Sequence, residues 1–169
     1  YFGLTGEAVS KAAALLPGRC VVDATTALYS PPLPGVPTIY SPRKFAGVPD
    51  GGVLCAPSPI RHLPTETQVS ASLSLHLLER LESGATAASR SCEAAEEALS
   101  APACLMSRLT RRLLQSIDFE AAARKRLENY AALHHTLGSI NRLQLPSTPQ
   151  HAPMCYPLVS GIPQLRDAL

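Results

Sequence analysis

The sequence predicts an α/β fold, and three observations carry that prediction. Short β-leaning runs, Val21-Val22, Thr38-Ile39-Tyr40 and Val53 to Ala56, are bounded by proline and glycine. Longer stretches before and after them repeat apolar residues at helical spacing. The composition, 46% hydrophobic and 17% charged over 169 residues, supplies enough apolar surface for a core and is unlike that of a disordered chain.

Taken in order, residues 1–4 read as a strand. Thr5 is placed as an N-cap, and Ala8, Val9, Ala12, Ala13 and Leu16 mark a helix over 6–16 that Pro17-Gly18 ends. With a strand over 20–24 this makes a βαβ unit. Residues 28–37 hold four prolines, which excludes regular structure and predicts a stiff connector. A strand over 38–41, a loop over 42–51 and a strand over 52–56 follow. Pro57, Pro59 and Pro64 then interrupt the chain. Thr65-Glu66-Thr67-Gln68 fits a capping box, and Val69, Leu73, Leu77 and Leu81 form one apolar stripe ending at Ser83-Gly84. A helix over 88–100 carries Glu93, Glu96 and Glu97 on a solvated face, and one over 104–115 carries Arg108, Arg111 and Arg112. Asp118 predicts the start of the last long helix, which buries Phe119, Ala123, Leu127, Tyr130, Leu133 and Leu137. Residues 139–145 suit a strand or a loop. Residues 153–160 read as a strand that Pro157 keeps near an edge, and Gly161-Ile162-Pro163 turns toward a final helix.

Charge and motifs narrow the function. A net charge of +2, with no basic run longer than Arg124-Lys125-Arg126, gives no reason to expect a nucleic-acid partner. No apolar segment approaches the length of a membrane span, and the N-terminal residues lack a signal-peptide pattern. The five cysteines are scattered and without CxxC spacing, which suggests reduced thiols in a cytoplasmic protein and no zinc site. Adjacent histidines His134-His135 diverge around a helix and do not form a chelating pair, for which a spacing of four is needed. No P-loop, GxSxG or HExxH signature is present.

One pair of residues suggests chemistry. Val21 and Val22 lead into Asp23, as a parallel strand delivers a carboxylate to its C-terminal end, where open α/β sheets bind ligands. Lys44 follows the run Thr38-Ile39-Tyr40 and precedes the turn Asp50-Gly51-Gly52. An acid and an amine at neighbouring strand ends suit a pyridoxal phosphate (PLP) site, in which the lysine forms the Schiff base and the acid pairs with the pyridinium nitrogen. Plainer readings accompany each residue. Lys44 is otherwise a solvated surface group, Asp23 a cap for the turn that follows, Ser41 a turn residue, and Arg43 one half of a surface salt bridge.

The stretch Asp23-Ala24-Thr25-Thr26-Ala27, then Ile39-Tyr40-Ser41-Pro42-Arg43-Lys44, then Asp50-Gly51-Gly52 resembles the DegT/DnrJ/EryC1/StrS sugar aminotransferases, fold-type-I PLP-dependent enzymes. That family typically shows Asp-x-Ala-Gln-Ala, Ser-Phe-x-x-x-Lys and Glu-Gly-Gly at these intervals. Asp23 and Lys44 fall on the acid and the lysine. Thr26 stands where glutamine or histidine usually flanks the cofactor ring. Ile39 stands where the phosphate-binding serine is usual, leaving Ser41 or Thr38 to supply that hydroxyl.

The resemblance implies the C-terminal part of such a transferase: the end of the large mixed-sheet domain over residues 1–64, then a connecting helix and a small α+β domain over 65–169. It implies that the half of the large domain gripping the phosphate precedes residue 1. Asp23 and Lys44 become the catalytic residues, with Asp23, Lys44, Thr26 and Ser41 holding PLP. The expected reaction is transamination of a keto-sugar, nucleotide-linked, with an amino acid as donor, in a homodimer with its active site at the subunit interface. A relative of the same fold that binds no cofactor and serves as a binding or structural module is the alternative, and Thr26 and Ile39 favour it.

Overall fold

The architecture starts from a small ladder. In the computed structural model, which describes residues 2–4, 6–68, 70–99 and 102–161, Val22–Asp23 (β1) runs parallel to Thr38–Tyr40 (β2), and β2 runs antiparallel to Val53–Cys55 (β3). The order β1-β2-β3 makes a mixed three-stranded sheet. Val22 pairs with Thr38 and Asp23 with Ile39, and the ladder is extended by Val22 N donating to Pro37 O and Ala24 N to Ile39 O, each at 2.8 Å. A parallel pair needs a long return connection, usually a helix. Here the Pro-rich stretch over 24–37 makes the return through successive turns, closed by Ala27 N to Ala24 O (2.9 Å), Ser30 N to Ala27 O (3.0 Å) and Val36 N to Leu33 O (3.1 Å). Tyr40 ties the loop down by donating its hydroxyl to Ser30 O at 2.9 Å.

Five α-helices are present among the described residues: Gly6–Leu15 (α1), Leu75–Ser83 (α2), Ser89–Ala98 (α3), Arg108–Gln115 (α4) and Phe119–Leu137 (α5). None is long and apolar enough to cross a membrane. Ser107 caps α4 by accepting from Thr110 N at 3.0 Å, and Asp118 caps α5 by accepting from Ala121 N at 2.8 Å. The predicted start at Asp118 is therefore met. Tyr130 is the most buried residue of the α5 face, donating to Pro146 O at 2.7 Å and packing against His134 and Tyr156. Leu133, expected beside it, remains 42% exposed. Arg126 completes that face, its guanidinium 5.0 Å from the Phe45 ring centre and donating to Met154 O at 2.9 Å.

Several expected elements differ. Residues 2–4 turn and do not form a strand, because Phe2 and Gly3 both take positive φ, so the βαβ unit loses its first strand. The helix expected from Thr65 begins ten residues later, at Leu75, after a single 3-10 turn over Ser72–Ser74. The backbone of its capping box is taken up by a long-range pairing within the chain: Leu105 N donates to Glu66 O at 2.7 Å and Gln68 N to Leu105 O at 2.9 Å. Residues 153–160 form no strand. Asn141 holds them by its side chain, Oδ1 accepting from Val159 N at 3.1 Å and Nδ2 donating to Pro157 O at 2.9 Å. Residues 139–145 are a 3-10 turn and loop. Tyr1, Thr5, Val69 and the final helix lie outside the described residues. All five cysteines carry free thiols.

Candidate functional site

Asp23 closes β1 with its side chain in solvent. Two residues on, Thr25 N donates to Asp23 Oδ1 at 2.9 Å, the turn-capping bond available to an aspartate at a strand end. The Thr25 backbone and hydroxyl, and to a smaller extent the Lys44 ammonium, hold the Asp23 carboxyl below the ordinary aspartate value, against a small opposing effect of burial.

Lys44 reaches the same place from β2. Ser41 leads out of the strand, and Pro42 starts a 3-10 turn over Pro42–Lys44, its fixed φ suiting the first turn position. Phe45 N and Ala46 N both donate to Pro42 O at 2.9 Å, fixing the turn. Lys44 Nζ then donates to Thr25 Oγ1 at 3.1 Å. Asp23, Thr25 and Lys44 thus form one connected cluster at the C-terminal end of the parallel pair. Thr25 is the member that motif reading passes over. Its signal is the Asp-x-Thr spacing of a capped turn, which is local and carries no chemistry until Lys44 arrives.

Although they meet at Thr25, Asp23 and Lys44 line different cavities, and the other candidates divide with them. Asp23 and Thr26 line one of about 470 Å³, walled by the prolines of the 31–34 stretch and by His151. Ser41 and Lys44 line another of about 400 Å³, which also receives Arg43, His76 and Arg80. Arg43 meets Glu96 at 3.6 Å, so the salt-bridge reading of that residue holds. Asp50 of the glycine turn is buried: Ser70 Oγ donates to one carboxylate oxygen and Ser107 N to the other, the latter at 3.4 Å.

The cluster can be tested against a pyridoxal ring. The ring nitrogen and the carbon that bonds a lysine lie at opposite ends of the ring, so acid and amine must flank it. Here both touch Thr25, and a ring enters between them only if Lys44 releases the Thr25 hydroxyl. Lys44 is exposed, and its release costs one solvent-accessible hydrogen bond, a small sum. The donor set and the strand-end placement fit the group, with Thr25 as the contact to be exchanged. No family model matches the chain, and no similar curated protein or solved structure is found.

Proposed function

We propose that this chain is the cofactor-bearing part of a fold-type-I PLP-dependent aminotransferase that acts on a nucleotide-linked keto-sugar with an amino acid as donor. The observation that supports the reading is the convergence of Asp23 and Lys44 on Thr25 at one end of the parallel strands β1 and β2. Pyridoxal phosphate, when bound, supplies an electron sink for the electron pair left by α-deprotonation of the donor. Asp23, kept ionised chiefly by its bonds from Thr25, would accept from the protonated ring nitrogen and so maintain its charge. Lys44 Nζ would hold the cofactor and would be the base that takes and returns the α-proton of the donor. Thr26, which lines the same cavity as Asp23, would flank the ring, and Ser41, which lines the cavity of Lys44, would supply a hydroxyl to the phosphate. A second copy of the chain completes the site in this reading.

A cofactor-free module of the same fold is the second reading. It is favoured by two facts: Thr25 already satisfies both Asp23 and Lys44, and the two side chains line different cavities. Borohydride reduction after incubation with PLP separates the readings. The expected result is a pyridoxyl label on Lys44, and none on Lys11 of α1 or on Lys125, which pairs with Glu128 on α5. Lys44→Ala should lose the label and keep the fold, while Asp23→Asn should keep part of the label and lose most transamination. Labelling elsewhere, or amino-sugar formation by Lys44→Ala, overturns the assignment. A protein that takes up no PLP at all leaves the second reading.

A further inference from the structure

We propose that the cavity between the Ser41–Val48 loop and helices α2 and α3 binds a phosphate monoester through Arg43, Arg80 and His76. The cavity borders the proposed cofactor site, since Ser41 and Lys44 also line it, but Arg43, Arg80 and His76 take no part in that assignment. The cavity, about 400 Å³, is lined by three cationic side chains, Arg43, Lys44 and Arg80, against one acid, Glu96. His76 is the independent pointer to a ligand. It is only 8% exposed, and its buried Nδ1 has no hydrogen-bond partner among the described residues. Buried polar atoms are seldom left so, and those that are ask for a water, an ion or a ligand. His76 is among the residues lining the cavity, and a small reorientation of its ring would let an imidazole N–H bond an anionic oxygen there.

The arginines fit the same partner. Arg80 makes no ion pair among the described residues. Arg43 meets Glu96 at 3.6 Å with both side chains partly exposed, a weak pair that a ligand anion can replace. A guanidinium presents a planar fork of donors that matches two oxygens of one anion, and two such forks suit a dianionic phosphate better than a single carboxylate. Phe45, Val48 and Leu77 give the cavity an apolar wall for the organic part of an ester.

The test is calorimetry with inorganic phosphate, at ionic strength held constant with chloride, alongside nitrogen NMR of the histidine side chains. Saturable binding is expected, with a matching shift of the His76 ring nitrogens. Arg80→Gln, a change at an exposed position, should weaken binding about tenfold, as loss of one charge-assisted bond does. Arg80→Lys should recover only part of that loss, since the charge returns without the fork. Lys44→Ala should weaken phosphate less than Arg80→Gln does while abolishing the pyridoxyl label, so failure of one proposal is told from failure of the other. A His76 shift reproduced by chloride alone, heat without saturation, or unchanged affinity in Arg80→Gln would each overturn the site.

Discussion

Asp23 owes its lowered titration chiefly to one neighbour. Thr25 supplies a backbone and a hydroxyl bond to the carboxylate, and both favour the charged form. Thr25→Val should leave the backbone bond and remove the other, so the Asp23 carboxyl should titrate closer to the ordinary value of 3.8, as read by carbon NMR of the carboxyl. The linkage has a definite sign. A depressed carboxyl contributes stability that is present above the unfolded value and is lost as pH falls through the folded one, so this contribution disappears in the acid range below about pH 4. Thr25→Val should flatten the pH dependence of stability there, and an unchanged Asp23 titration would show that the hydroxyl is idle. Asp50 is the opposite case, buried and shared between distant segments. Its partners Ser70 and Ser107 lie 20 and 57 residues away, so the Asp-Gly-Gly turn is legible in the sequence while the role of its aspartate is not. Asp50→Ala strands a buried hydroxyl and a buried N–H, and should cost about 2–3 kcal/mol by urea unfolding. A loss under about 0.5 kcal/mol, the range of ordinary surface changes, would deny it that tying role.

Elements whose signals are local come out as the sequence reads them, and those decided by distant partners do not. Asp118 and the helix it starts rest on a bond three residues long, so cap and helix appear together. Asp118→Ala should cost about 1 kcal/mol, measurable as a lowered unfolding midpoint. Thr65 to Gln68 carries an equally good local signal, yet Leu105 takes the backbone groups on either side of Thr67, and the helix waits for Leu75. The segment after Pro153 follows the same rule. Its order comes from the side chain of Asn141, which no alternation of apolar residues announces. The placement of Asp23 was legible because a β-branched run ending in an acid is a local pattern, and the helix-free return from β1 to β2 was legible in the four prolines of residues 28–37. Helix α4 adds a test of burial. Thr110 is fully buried, its backbone N–H is satisfied by Ser107, and its Oγ1 has no partner among the described residues. Thr110→Val keeps the shape and removes an unpaired hydroxyl, so stability should hold or rise by up to about 1 kcal/mol. A marked loss would reveal a partner for that hydroxyl in solution.

At the scale of the molecule, surface is the quantity that stands out. A compact chain of this mass would expose roughly 8,000 Å², whereas this one exposes 11,942 Å². The small size of the buried core accounts for the excess: among the described residues, prolines aside, Ala13, Ala24, Ala88, Ala95 and Ala152 accompany only Tyr40, Val48 and Tyr130. Larger side chains remain outside, among them Val21 at 62% exposure and the cross-strand partners Ile39 and Leu54 on the small sheet. Burial of apolar area is the main favourable term in folding, so a chain that leaves these groups wet has little margin by itself. The partner implied by the proposed function, a second copy, would cover such a surface, and coupling of folding to association has a thermodynamic signature. The urea midpoint should rise as protein concentration is raised about tenfold, because the associated state is favoured by mass action. Dye binding to exposed apolar surface should fall over the same range, and light scattering should show the mass doubling. A midpoint independent of concentration, with dye still bound at the highest concentration, would mean that a second copy does not cover this surface and would remove the dimer from the proposed function.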